Sequence, residues 1–129
     1  MKSLIFCTKK PIDYRKIIDL IKIEYKSCKG NDKVVSFGKT PKNLFIWLPS
    51  TDINDNDTKI DMEEDLPYIP FENPYFTSVE FHIADIAKKV VTILLNEYPE
   101  LFVLYEDYRV SANDFLQLEI SSKRNKKIL

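Results

Sequence analysis

Two stretches of helical periodicity, separated by short runs of β-branched and aromatic residues, constrain the fold of this chain most. The first stretch repeats apolar residues at the spacing of one helix face, at Tyr14, Ile17, Ile18, Ile21 and Tyr25. The second stretch, residues 84–97, carries a broader apolar stripe. Such stripes must be buried against another element, and the neighbouring strand-like runs provide one. The pattern therefore predicts two main helices that cover a sheet.

Short strands are predicted on either side of these helices. Their bounds are 3–8, 33–37, 43–48, 75–82 and 101–105. The fourth of them alternates clearly, with Val79 and Phe81 on the same face. Pro49 is expected to end the third strand. Pro11 suits the first turn of the first helix, and Gly30 suits the position after its end.

The segment 111–122 has two interpretations that the sequence leaves open. Ser111 and Asp114 match a helix-capping box, whereas Leu116, Leu118 and Ile120 alternate as in a strand. The helix is preferred. The predicted order is then β-α-β-β-loop-β-α-β-α. This order gives a single small α+β domain over residues 1–129, with a mixed or mostly antiparallel sheet.

Composition narrows the classes of function. A chain of 129 residues suits one domain. No apolar run approaches the ~18 residues that span a bilayer, and the apolar start ends at Thr8, too early for a signal peptide. No membrane association is therefore expected, and the cytoplasm is the expected compartment, where Cys7 and Cys28 would stay reduced. Two glycines, Gly30 and Gly38, cannot build a glycine-rich phosphate loop, and no cofactor is expected.

The net charge of −1 hides a strong asymmetry along the chain. Residues 1–42 carry a net charge of +7, residues 43–122 carry −12, and the tail 123–129 carries +4. The tail is expected to be a solvated end. The charge split predicts either two faces of opposite sign or mutual neutralisation after folding.

Residues 50–74 are predicted to form a long acidic and proline-rich loop, with a turn of helix near 62–65. Its seven carboxylates are Asp52, Asp55, Asp57, Asp61, Glu63, Glu64 and Asp65. Because they repel one another, they favour either solvent or a cationic partner. The loop is thus a candidate docking surface for a basic protein, or a solvated mobile segment. Tyr68 and Tyr75 are candidate anchors of such an interface, or they pack the loop onto the core.

Catalytic and metal chemistry find little support. Four oxygen-bearing residues fall at positions 1, 3, 5 and 12 of a calcium-binding loop, namely Asp52, Asn54, Asn56 and Glu63. Asp57 replaces the glycine that such a loop needs, and Lys59 adds a cation inside it. Glu80 and His82 share one strand face, but no nucleophile is identifiable beside them. No catalytic residue and no metal site is therefore predicted.

The short chain, its acidic and aromatic segment and its lack of a catalytic motif resemble the small immunity proteins of bacterial polymorphic toxins, including contact-dependent growth inhibition systems. The resemblance implies a cognate toxin partner, often a basic nuclease, whose substrate groove Asp52 to Asp65 would cover while Tyr68 or Tyr75 anchors the contact. Nucleic acid is not expected as the partner.

Two alternatives remain. One is a regulatory module that binds nucleic acid or a ligand through Lys16, Lys22 and Lys26 of the first helix. The other is a minor hydrolase that uses Glu80 and His82.

Overall fold

A seven-stranded sheet organises the part of the chain that the structure, a computed structural model, describes: residues 2–38 and 43–120. Its strands are β1 (Lys2–Thr8), β2 (Lys29–Gly30), β3 (Val34–Phe37), β4 (Leu44–Asp52), β5 (Tyr75–Phe81), β6 (Phe102–Tyr105) and β7 (Tyr108–Ser111). The α-helices are α1 (Tyr14–Glu24), α2 (Asn56–Asp61), α3 (Ala84–Glu97) and α4 (Ala112–Gln117), and one turn of 3-10 helix covers Leu66–Tyr68.

The strands lie in the order β2-β3-β4-β5-β1-β6-β7, and every neighbouring pair is antiparallel. This arrangement confirms the predicted α+β class. The register places Leu4 of β1 opposite Val79 of β5, and Ile46 of β4 opposite the same residue. Strand alternation then puts these three side chains on one face of the sheet.

Helices α1 and α3 cover this face, which we call the helix face. Ile17 and Ile21 of α1 and Val90 and Leu94 of α3 are fully buried in the same cluster as Phe81 of β5. The spacing of these residues follows one side of each helix, as the sequence predicted. Helix α3 has the predicted bounds 84–97. The main hydrophobic core therefore lies between the helices and the sheet.

Helix α1 is shorter than predicted because a side chain caps its start and a close strand contact follows its end. The Asp13 carboxylate accepts hydrogen bonds from the backbone N–H groups of Arg15 and Lys16, so the helix begins after Asp13 and not at Pro11. The prediction that Gly30 follows the helix end was wrong, because this residue lies in β2. A Cβ atom at Gly30 would stand 2.5 Å from the carbonyl oxygen of Val34. Close approach of two strands requires the glycine here.

The prediction that Pro49 ends its strand was also wrong. Strand β4 continues through Pro49 to Asp52, with a cis peptide bond between Leu48 and Pro49. The register between β4 and β5 shifts between Trp47 and Thr51. Proline lacks a backbone N–H, and it is tolerated where the regular ladder is already interrupted.

The two interpretations of 111–122 are resolved in favour of a helix. The Ser111 hydroxyl accepts a hydrogen bond from the backbone N–H of Asp114 and caps α4. Strand β7, directly before it, was not predicted. The sequence also predicts a turn-rich connection at 38–42, of which only Gly38 is among the described residues, and the basic tail 123–129 lies outside them. Within the described ranges, no helix is long and apolar enough to cross a membrane.

Candidate interaction surface

The connection between β4 and β5 folds over the sheet face opposite α1 and α3. We call residues 53–74 the acidic cap and this second sheet face the outer face. Apolar residues of the cap pack against outer-face residues of β1, β5 and β6 in a small separate cluster. The cap contributes Ile53, Met62, Leu66, Ile69 and Phe71, and the sheet contributes Ile5, Cys7, Phe76, Phe102 and Leu104. The segment expected to be a long loop is therefore a folded layer with its own apolar contacts.

Helix α2 carries two of the cap's carboxylates, Asp57 and Asp61, together with Lys59. The Asp55 carboxylate accepts hydrogen bonds from the backbone N–H of Thr58, at 3.0 Å, and from its hydroxyl, at 2.9 Å. These bonds favour the ionised form and lower the pKa of Asp55. The helix thus begins after Asp55. At the predicted helical turn near 62–65, the backbone N–H groups of Asp65 and Leu66 both donate to the Met62 carbonyl, so a single turn forms there without continuing as an α-helix.

Arg109 of β7 contacts Asp65 and Tyr68 and so acts as a clamp on the part of the cap that follows α2. The Arg109 Nε–H donates a hydrogen bond of 2.7 Å to Oδ1 of Asp65. The Arg109 guanidinium also lies 4.4 Å from the centroid of the Tyr68 ring, within the range of a cation–π interaction. The hydrogen bond to Asp65 raises the pKa of Arg109. Sequence reasoning did not select Arg109, because nothing local to it indicates a partner that lies 44 residues away.

The seven predicted carboxylates divide into two groups. Asp52, Asp55 and Asp65 form structural hydrogen bonds; Asp52 accepts one of 2.7 Å from the backbone N–H of Asn54. The other four are exposed, and no ion pair with a described cation involves them; they are Asp57, Asp61, Glu63 and Glu64. The structure therefore keeps about half of the predicted set free to meet a partner.

Two large exposed side chains accompany these free carboxylates. Ile60 of α2 is 70% exposed, and Tyr68 is 57% exposed. Helical spacing places Ile60 next to Asp57, three residues earlier on α2. Sequence reasoning selected Tyr68 but missed Ile60, although an apolar residue within a strongly charged segment was a usable signal. An apolar residue within a charged rim is typical of protein-binding surfaces.

Tyr75 lies apart from the rest of the predicted site. Tyr75 is the first residue of β5, pairs with Thr8 and Asp52 in the sheet, and is partly buried. Strand alternation from Thr77 directs Tyr75 toward the helix face, whereas the cap lies on the outer face. Tyr68 and Tyr75 are therefore not brought together.

The candidate calcium-loop residues do not form a metal site among the described residues, and Glu80 of the candidate hydrolytic pair contacts another residue. Across residues 2–38 and 43–120, no group of three or more His, Cys, Asp or Glu side chains is positioned to hold a metal ion. Asn56 begins α2, so a helix occupies the middle of the hypothetical calcium loop. Glu80 accepts a 2.9 Å hydrogen bond from the Trp47 indole, and His82 lies beyond the end of β5.

The basic side of α1 is partly neutralised by its neighbours. Lys16 forms a 2.7 Å ion pair with Glu97 of α3, and Glu24 of α1 lies 3.5 Å from Lys89. Lys22 and Lys26 are exposed. Of the three candidate bases, Lys16 is therefore paired internally, and no ion pair with a described residue engages Lys22 or Lys26.

The half of the outer face that the cap leaves uncovered carries a second feature that sequence reasoning missed. Trp47 of β4 is 44% exposed and stacks on Phe45, with ring centroids 6.0 Å apart. A shallow depression beside Trp47 is bordered by Ser3, Ser78 and Glu80. The usable signal was alternation, because Trp47 is out of phase with the buried Leu44 and Ile46.

Comparison with known proteins identified no relative. No family model matches the sequence, and no curated protein or solved structure is similar to the chain. A function must therefore be inferred from the chemistry of these surfaces.

Proposed function

We propose that this protein is a non-catalytic binding protein that docks a basic partner protein on the outward side of the acidic cap. In the immunity setting that the chain resembles, the partner is a cognate toxin, and binding covers the toxin's basic substrate groove. The observation that carries the proposal is the pairing of unneutralised carboxylates with exposed Ile60 and Tyr68 on one folded cap.

Electrostatics give the cap the character of a docking surface. Of the seven carboxylates between Asp52 and Asp65, one is paired with Arg109, and Lys59 is the single base within the segment. The remaining negative charge would steer a cationic protein toward the cap and speed association. Ile60 and Tyr68 would add apolar area that is lost from water on contact.

The fixed position of the cap also favours tight binding. Its apolar side chains pack against the sheet, and Arg109 ties Asp65 and Tyr68 to β7. A surface that is already ordered loses less conformational entropy on binding than a mobile loop does. The carboxylates would therefore meet a partner in a preformed arrangement.

The test is affinity capture at low salt from a lysate of the native source, read by mass spectrometry, with two matched variants. The cap variant carries Asp57→Asn, Asp61→Asn and Glu64→Gln. The control variant carries Asp19→Asn, Asp32→Asn and Glu119→Gln, which change the net charge equally at exposed positions outside the cap. We expect the natural chain and the control to recover one basic protein. We expect the affinity of the cap variant for the purified partner to be lower by at least about tenfold.

Equal affinity of the purified partner for the cap variant and the natural chain would contradict the proposed surface. Recovery of no basic protein by the natural chain would contradict the proposed class of partner. If the partner has nuclease activity, the immunity hypothesis also requires that one equivalent of this protein abolishes that activity.

A further inference from the structure

The uncovered half of the outer face combines an aromatic platform with a carboxylate. Trp47 is the only tryptophan in the chain, and it lies between stacked Phe45 and the depression next to Ser78. The Trp47 Nε1–H donates a 2.9 Å hydrogen bond to Oε1 of Glu80, which fixes the carboxylate at the edge of the indole ring. The small side chains of Ser3 and Ser78 leave room beside the ring.

The Glu80 carboxylate has acceptor capacity that this contact does not use. A carboxylate offers two oxygens and about four acceptor positions. Among the described residues, Trp47 is its one hydrogen-bond donor, and no Lys or Arg forms an ion pair with it. A cation placed against the ring would therefore find a negative partner within reach.

The same protein already contains a filled site of this chemistry. At the edge of the cap, the Arg109 guanidinium lies over the Tyr68 ring and donates to the Asp65 carboxylate. Trp47 and Glu80 repeat the aromatic and carboxylate components, with no guanidinium from the described part of the chain. A planar guanidinium can stack on a ring while it donates to a carboxylate, which an ammonium group does less well.

We propose that Trp47 and Glu80 bind one arginine side chain of the partner protein. The proposal rests on the proposed function for the nature of the partner, and it adds a specific pocket beside the broad acidic cap. Ile5 links the two areas, because it lines the depression and also packs against the apolar cluster under the cap. A partner that covers the cap can therefore place one side chain over Trp47.

The lone tryptophan allows a direct test on the intact protein. The probe is an acetylated and amidated Gly-Arg-Gly peptide, and the matched peptide carries citrulline, which has the same shape without the charge. We expect the arginine peptide to cause a saturable change in Trp47 emission. We expect Glu80→Gln to weaken this binding about fivefold. Asp19→Asn, an exposed control on α1, should leave it unchanged.

Glutamine at residue 80 can still accept the indole hydrogen bond, so this variant removes charge and keeps the local contact. The inference would be overturned by an absent response, by equal responses to both peptides, or by unchanged affinity in Glu80→Gln. The cap variant should respond to the peptide like the natural chain. If no basic partner is captured but the arginine peptide still binds, only the proposed function is contradicted. If a partner is captured but the peptide does not bind, only the Trp47 site is contradicted.

Discussion

At the scale of single residues, the turn between β6 and β7 holds an unfavourable backbone conformation. Glu106 has a φ of 52°, in the left-handed region that glycine and asparagine tolerate best. Its neighbour Asp107 does not have a positive φ. The hairpin therefore forms without the asparagine or glycine that usually marks such a turn in sequence, which is why β7 was not predicted.

We expect Glu106→Asn to stabilise the protein by roughly 0.5–1 kcal/mol, because asparagine adopts this conformation at lower cost. Chemical denaturation of both proteins, fitted with one common m-value, measures the difference in the free energy of unfolding. Asp107→Asn is the matched control, since it removes the same charge in the same turn without a left-handed backbone. An equal gain in both variants would attribute the effect to charge and contradict the conformational explanation.

At the scale of elements, the acidic cap is a thin layer that one hydrogen-bonded clamp helps to hold. Cys7 lies beneath the cap, whereas Cys28 is buried in the core under the helices. Burial raises the pKa of both thiols, so neither is reactive while its cover is closed. Cys7 therefore reports on opening of the cap, and Cys28 reports on opening of the main core.

We expect Arg109→Met to accelerate alkylation of Cys7 several-fold and to leave Cys28 unaffected. Methionine retains apolar bulk but removes both the bond to Asp65 and the cation over Tyr68, so the cap should open more often. Peptide mass spectrometry after timed labelling measures each cysteine separately. Faster labelling of both thiols would indicate global destabilisation, and no change at Cys7 would show that the apolar contacts suffice to hold the cap.

At the scale of the whole molecule, the sheet has two unequal sides. The helix face is covered by α1, α3 and α4 and contains the larger cluster, while the outer face has the small cap cluster and an uncovered half. Cooperative stability should therefore come mainly from the helix face. The outer face is free to carry binding surfaces, because less of the core depends on it.

Phe81 and Phe76 of β5 allow the two sides to be compared within one strand. Phe81 is fully buried under the helices, and Phe76 is nearly buried under the cap. We expect Phe81→Ala to lower the free energy of unfolding by about 3–5 kcal/mol. Phe76→Ala should cost less, because the thin cap can adjust over the gap. Denaturation gives both values, and similar losses would mean that the cap and core unfold as one unit.

The sequence predicted the features that depend on short-range patterns. Helix α3 has its predicted bounds, and Val79 and Phe81 share the buried face of β5, because helical spacing and strand alternation depend on neighbouring residues. Local patterns failed where the decisive contact was distant. Gly30 was assigned to a helix end, but its role depends on the Val34 carbonyl of the adjacent strand.

For the candidate site, the sequence by itself determined the acidic composition of the segment that joins β4 and β5. Only the tertiary structure decided which carboxylates are used internally and which remain free. Asp65 meets Arg109 across 44 positions, and Glu80 meets Trp47 across 33. Composition sets the charge that a segment carries, whereas the sheet order and register set the neighbours of each side chain, and these arise only when distant strands pair.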